Sequence, residues 1–394
     1  MPASNRQFRS TGGSSASRPD AIIVGAGVIG LGVAWRLAQS GARVTVFDRS
    51  AAGSGASHAA AGMLAICAEA EPGEQDLVAL GRLSQSLWPT FAADLEAASG
   101  FAVDRRAEGT LVVAMNAGEA ARIHHHLTFQ KSLALPVEWI SAQEARQREP
   151  HLTPGIVGAV WSPEDHQVDN RKLAAALKIA ASKAGAIIRE HQPVRRIVVE
   201  HDRAVGVALD DRVAICADVV VLAAGAWSRG IEGLPTDLRP PVRPVKGQML
   251  ALQMDPLAPL VTRVLRAHNV YLVPRNDGRL IVGATTEEKG FDATLTAGGV
   301  LALLDAAWRL VPSLEELPIA DMWVGHRPGS RDDAPILGPG PVEGLVYATG
   351  HHRNGILLTP VTADMIARLV LDGVADPRMA AFSLDRFMTA RAAE

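Results

Sequence analysis

Cysteine is almost missing from this chain of 394 residues, which carries only Cys67 and Cys216. Two thiols so far apart exclude a disulfide scaffold and a cysteine metal cluster. A reducing, cytoplasmic setting is the economical expectation. A large excess of either charge is also missing. A net charge of −3 argues against a dedicated nucleic-acid or anionic-membrane surface. Charged residues interrupt every apolar run before about 18 residues, so no membrane span is expected. Aromatics are only 4%, and tyrosine is reduced to Tyr271 and Tyr347. What is abundant is small and apolar: 48% of residues are hydrophobic and 36 are glycine. That length and composition suit two or three α/β domains with ample core.

Residues 1–19 carry Ser, Gly and Arg but no acid and no apolar period. Such a stretch superficially fits a transit peptide. No amphipathic helix can be drawn through Gly12, Gly13 and Pro19, so a disordered tail is expected. From Ala21 the pattern is strand (21–24), helix (28–40) and strand (42–48). Helix spacing returns at 76–99, 117–132, 170–184, 299–310 and 360–372. Ser141 and Glu144 have capping-box spacing. Short apolar strands crowd the middle: 110–115, 186–189, 194–200, 204–209, 212–215, 218–225, 247–252, 269–274 and 278–284. Two more are expected near 319–325 and 344–348. βαβ units at both ends around a β-rich middle imply a doubly wound domain interrupted by a sheet domain. The expected division is 20–85, 160–228 and 319–394 for the first, with 86–159 and 229–318 for the second.

The turn Gly25-Ala26-Gly27-Val28-Ile29-Gly30 has the G-x-G-x-x-G spacing. Gly25 permits the tight turn, Gly27 lets backbone approach a pyrophosphate, and Gly30 lets helix and strand pack closely. The helix start offers free N–H groups and the positive dipole end. Asp48 closes the second strand, where a carboxylate accepts hydrogen bonds from a ribose diol. Together these point to a dinucleotide. Two later segments favour a flavin over a nicotinamide: GSGASHAAAGMLA (53–65) and ATGHHRNGILLTP (348–360) can both lie against a flat ring system.

Arginine is plentiful, at 33 against 6 lysines, so a single one carries little information. Arg327 stands out in W-V-G-H-R-P-G, after an apolar strand and before a Pro-Gly turn. Arg353 sits in the glycine-bearing loop before the last helix. A guanidinium fork binds a carboxylate with two parallel charge-assisted bonds. Tyr271 lies in the strand NVYLVP, where its hydroxyl could reach the same carboxylate. His124-His125-His126 fan over different faces of a polar helix, and no metal site is expected.

The segments VGAGVIGLGVAWRLAQSGARVTVFDRS, ASHAAAGMLA, VVVLAAGAWS, PVKGQ, YLVPRNDGRLIVGATTEEKGFD, VGHRPGSRDDAPILG and ATGHHRNGILLTP carry a resemblance that spans residues 24–360. They resemble the FAD-dependent amine oxidases, the family of D-amino acid, sarcosine and glycine oxidases. The resemblance implies a Rossmann-like, discontinuous FAD-binding domain and a substrate domain on a large mixed sheet. It implies noncovalent FAD, since no cysteine stands near 327–338, where sarcosine oxidases tether the ring. It implies oxidation of glycine, similar small amines or D-amino acids by O2, with the imine available to thiamine thiazole synthesis.

By the same likeness, Asp48 and Arg49 meet the adenosine end and Val194 the adenine. Ala56, Ser57, Ala61, Gly62 and Met63 meet the phosphates and flavin. His351, His352, Arg353, Asn354, Gly355, Ile356 and Leu357 line the ring. Arg327 grips the substrate carboxylate, Tyr271 flanks it and Arg353 closes the far side. No general base is required, because hydride leaves Cα directly. Asn269 and Cys67 depart from the histidines common in the family, Asn269 beside the substrate. A dehydrogenase of D-amino or 2-hydroxy acids, a noncatalytic flavin subunit and a homo-oligomer all stay open at this level.

Overall fold

The computed structural model describes residues 18–210 and 214–389. The expected tail therefore falls outside the described residues except for Arg18 and Pro19, as does half of the expected strand 212–215.

Asp20–Val24, Val28–Gln39 and Arg43–Phe47 form the expected strand, helix and strand, with both strands parallel. The helix is apolar on nearly every face because it is enclosed: it packs between Asn170–Lys183 and Thr359–Asp372. These elements belong to a six-stranded sheet. Its order is Ile336–Pro339, Leu345–Thr349, Val219–Leu222, Asp20–Val24, Arg43–Phe47, Ile187–Arg189. All neighbours are parallel except the first pair. Sheet members come from distant parts of the chain, as a discontinuous doubly wound domain requires. A three-stranded sheet, Arg196–Glu200, Arg203–Ala208 and Ala214–Cys216, covers its other face.

A second sheet has eight strands. It runs Ile319–Gly329, Arg243–Gln253, Arg279–Gly283, Val270–Pro274, Val264–Ala267, Thr110–Ala114, Gly158–Ser162, Glu138–Ser141. It is mixed, with one parallel pair between Val264–Ala267 and Thr110–Ala114. Helix Ala297–Leu310 buries Leu303, Ala307 and Leu310 against one face. The other face turns toward the six-stranded domain.

Three expected boundaries differ from the observed elements. Ile319–Gly329, grouped above with the dinucleotide domain, pairs antiparallel with Arg243–Gln253 from Arg327↔Val245 to Ile319↔Leu252. Gly158–Ser162 likewise belongs to the eight-stranded sheet. The backbone ladder decides membership here, and neither strand alternates clearly enough to reveal its partner. The expected break at 85/86 falls inside one continuous helix, Gln75–Ser99.

Candidate active site

The glycine turn is built as its spacing suggests. Gly25 adopts φ +109°, and a Cβ there would stand 2.4 Å from the Ala223 carbonyl oxygen. A Cβ on Gly30 would lie 1.9 Å from the Gly25 oxygen, so helix and turn meet backbone to backbone. Gly27 is different. It faces open space, with only Ser57 Oγ at 3.2 Å from its imagined Cβ. Ser57 Oγ accepts from the Val28 N–H at 3.0 Å. Asp48 accepts from the Ala26 N–H at 2.7 Å and the Ser50 N–H at 2.8 Å, holding turn and strand end together. Burial raises its carboxyl pKa above the ordinary value despite those bonds.

One cavity of about 1230 Å³ runs from this turn to the eight-stranded sheet. Drug-sized ligands usually need only about 300–1,000 Å³, so a dinucleotide with a small second ligand has room. Gly25, Gly27, Val28, Ile29, Asp48, Arg49, Ala56, Ser57, Ala61, Gly62, Met63 and Val194 line it. So do Asn269, Tyr271, Arg327 and the run from His351 through Ile356. Three expected residues stand behind the wall. Gly30 packs on the turn, and Ala26 is fully buried with its N–H on Asp48. Leu357 gives its carbonyl to Ser84 Oγ at 2.6 Å and Trp88 Nε1 at 2.9 Å. Cys67 is buried, its thiol pKa pushed far up by desolvation, and it is not a cavity residue.

The far wall is a row of side chains across six strands. Cross-strand partners share a face, and the pairings run Trp323, Met249, Gly283, Tyr271, Arg266, Val112. Gly283 leaves space where a Cβ would touch the Tyr271 ring at 2.6 Å. Gly247 does the same for Arg327, whose guanidinium would be 2.7 Å from its Cβ. Arg327 donates from Nη1 to the Thr285 carbonyl at 3.1 Å. Among the described residues no carboxylate forms a salt bridge with Arg327. Burial raises the Tyr271 phenol, so it stays protonated and able to donate. Arg353, by contrast, is engaged: Nη2 meets Glu74 Oε1 at 2.8 Å and Nε meets Glu69 Oε2 at 3.5 Å.

His351 and His352 are held neutral, both pushed down to about 3, mainly by burial. His351 Nε2 shares a hydrogen bond with Thr362 Oγ1 at 3.1 Å. Of the histidine run, His126 reaches the cavity and His124 stacks on Trp139 at 4.2 Å.

Five contributors are missed by sequence reasoning. Arg266 lines the cavity from the four-residue strand Val264–Ala267, too short and charged to register as a strand. Glu69 lines it from the turn after Leu64. Trp227 and Phe291 stack at 5.0 Å near Arg49, whose guanidinium lies 4.3 Å from the indole. Arg275, fully enclosed, donates to Ala61 O, Val168 O, Gln167 Oε1 and Asn170 Oδ1 at 2.7–3.1 Å. The spacing YLVPR exposes it as a motif member but gives no hint of four acceptors from another domain.

A family model described as FAD dependent oxidoreductase matches residues 20–369. The chain belongs to that family. Its relatives include the bifunctional protein ThiO/ThiG of Synechocystis sp., 41% identical over 94% of this chain and 54% of that protein. The chain therefore spans about half the length of that relative. It is also 38% identical to the glycine oxidase of Geobacillus kaustophilus, over 94% of this chain and 97% of that one. The crystal structure of glycine oxidase from that organism superposes with a TM-score of 0.87, covering 94% and 99% of the two chains. Iminodiacetate oxidase from Chelativorans sp. BNC1 is 28% identical with a TM-score of 0.84, covering 92% and 98%.

As a family member the chain is an FAD-dependent enzyme, and its own residues fit that cofactor. The open face at Gly27 and the helix start suit a pyrophosphate. Asp48 suits a ribose, and Trp227 with Arg49 offers a flat cationic shelf. No helix among the described residues is long and apolar enough to cross a membrane.

Proposed function

We propose that this enzyme oxidatively deaminates glycine and similar small amines or D-amino acids, producing oxo acid, ammonia and hydrogen peroxide from substrate, water and O2. Arg327 carries the reading. It is a cavity-facing guanidinium without a carboxylate partner among the described residues, set beside the protonated Tyr271 across one wall. Two parallel bonds from Arg327 hold the substrate carboxylate, and the Tyr271 hydroxyl donates to the same group. The arm of the cavity from the glycine turn to the 351–356 loop would hold noncovalent FAD, with Gly27, Val28, Ser57 and Asp48 at one end and His351 through Ile356 at the other. The flavin would supply the two-electron chemistry, taking hydride from the substrate Cα and passing the electrons to O2.

The protein residues supply position rather than acid–base chemistry. Neutral His351 and His352 avoid adding charge near the ring, and Met63 and Tyr271 present apolar surface to a Cα–H. Water then hydrolyses the released imine. The likeness to proteins named ThiO/ThiG and glycine oxidase supports the same substrate class, with imine supplied to thiazole synthesis in thiamine biosynthesis. The two unpaired cysteines support a cytoplasmic setting.

The test is direct. Purified protein with FAD should release peroxide and glyoxylate in equal amounts from glycine. Flavin-bound protein that yields neither from glycine or D-alanine overturns the reading. Reduction of a dye without oxygen consumption would reassign it as a dehydrogenase.

A further inference from the structure

Three guanidiniums, those of Arg266, Arg327 and Arg353, border the substrate end of the cavity. Two carboxylates hold two of them. Glu69 Oε1 lies 2.7 Å from Arg266 Nη1, and Glu69 Oε2 lies 3.5 Å from Arg353 Nε. Glu74 completes the cluster with two bonds from Arg353 Nη2 at 2.8 and 2.9 Å. Glu71 and Arg122 also reach the cavity but are exposed to water, which screens them. The inner cluster therefore retains one positive charge, and it belongs to Arg327.

Arg266 itself is poised for more. It is the direct cross-strand neighbour of Tyr271, so both side chains stand on the same face of the sheet. Its Nη1 is shut away from water, and although close to Glu69 it makes no hydrogen bond of acceptable direction. The rest of the side chain is open, 28% exposed and lining the cavity, which is where an anion would meet Arg266 once the Glu69 charge is gone. Glu69 rides on a turn fixed at its base by Asp165, which accepts from the Cys67 N–H at 2.9 Å and the Ala68 N–H at 2.6 Å. The carboxylate is thus anchored to the protein rather than free to swing aside.

We propose that Glu69 sets the charge class of the substrate: by neutralising Arg266 it leaves Arg327 as the sole anion anchor, and its removal uncovers a second anion subsite at Arg266. The proposal rests on the assignment of Arg327 to the substrate carboxylate. The native enzyme then selects amines with one carboxylate. An amine with a carboxylate at each end meets Arg327 at one end and is repelled by Glu69 at the other, an exclusion by like charge. Without that charge, Arg266 takes the second carboxylate. The chemistry is unchanged: iminodiacetate, O2 and water give glyoxylate, glycine and hydrogen peroxide, with hydride leaving the N–CH2 carbon.

The experiment compares initial rates of peroxide release from glycine and from iminodiacetate for the native enzyme and Glu69→Gln. In parallel, flavin absorbance is titrated with the unreactive monoanion acetate and the dianion malonate. Glu69→Gln is expected to raise the iminodiacetate-to-glycine ratio of kcat/KM about tenfold or more, mainly through KM. It is expected to tighten malonate relative to acetate by a similar factor. Adding Arg266→Met should erase both gains. An unchanged ratio and unchanged malonate affinity in flavin-loaded Glu69→Gln overturn the proposal.

If Glu69→Gln does not hold flavin, Arg266→Met in the native background still decides. Leaving the cluster neutral should raise the acetate dissociation constant several-fold, and an unchanged constant overturns the charge balance. A native enzyme inert toward glycine would overturn the proposed function, while the malonate and acetate titrations would still report on Glu69.

Discussion

At the scale of single residues, Arg327 is the cavity arginine left without a counter-charge among the described residues. Arg353 has Glu69 and Glu74, Arg266 has Glu69, and Arg327 meets the Thr285 carbonyl and the Tyr271 hydroxyl, neither of them a counter-charge. Replacing Arg327 by Ala removes two charge-assisted bonds to the substrate and should cost about 3 kcal/mol, on the order of 100-fold in kcat/KM. The flavin spectrum should persist, because Arg327 is assigned to the substrate rather than to the cofactor.

His351 supports a prediction of a different kind. Its folded pKa is depressed to about 3 by burial, below the value near 6.5 of the unfolded chain. The stabilising contribution of the neutral ring is thus present above pH ~6.5 and lost as pH falls toward 3, with a slope of up to about 1.4 kcal/mol per pH unit. His351→Gln, which can still hydrogen-bond Thr362, should flatten the pH dependence of unfolding between pH 6 and pH 4. Denaturant melts at both pH values measure this, and an unchanged slope would remove His351 from the acid sensitivity.

At the scale of elements, the glycine turn and the end of the second strand are the parts most legible in sequence. Turn, helix and Asp48 stand where their spacing implies, because each depends on local backbone geometry. The capping box also forms, with Ser141 Oγ accepting from the Glu144 N–H and Glu144 accepting from the Ser141 N–H. Short strands fare worse. Val264–Ala267 and Ile336–Pro339 go unread because four residues give no usable period, and their stability comes from neighbouring strands. Arg266 is hidden with its strand.

The glycines in the sheet are a subtler signal. Gly247 lies opposite Gly325, with Arg327 beyond, and its missing side chain is what admits the guanidinium. Gly247→Ala should change stability by only about 1 kcal/mol, since the obstructed atoms are the mobile end of an arginine. It should nonetheless displace Arg327 and raise KM for glycine about tenfold or more. Thermal melts together with steady-state kinetics separate these outcomes. A large loss of stability with unchanged KM would mean that the gap serves packing instead.

At the scale of the whole molecule, the site exists only because two sheets from interleaved stretches of chain face each other. Residue patterns identify both domains but do not locate the seam, since strand pairing over long sequence distance leaves no local trace. Arg275 fastens that seam. It grows from the eight-stranded sheet and donates to the segment carrying Ala61 and to Asn170, which itself holds the Ser57 and His58 carbonyls. Arg275→Met should strand several buried acceptors and cost about 3 kcal/mol or more, lowering Tm by several degrees and weakening FAD retention. Calorimetry and gel filtration of the flavin-loaded protein would show it. Retention of full stability and of flavin would mean that the domains are held elsewhere.

The proposed function requires one cavity to join bound FAD to an amino acid anchored by Arg327. Anaerobic mixing of the yellow protein with glycine tests it most directly. Bleaching of the flavin absorbance in a single turnover is expected for the native enzyme. Arg327→Ala, still yellow, should bleach on the order of 100-fold more slowly at low glycine. Native protein that binds FAD yet keeps its colour under excess glycine, or an Arg327→Ala variant that bleaches at the native rate, would contradict the account.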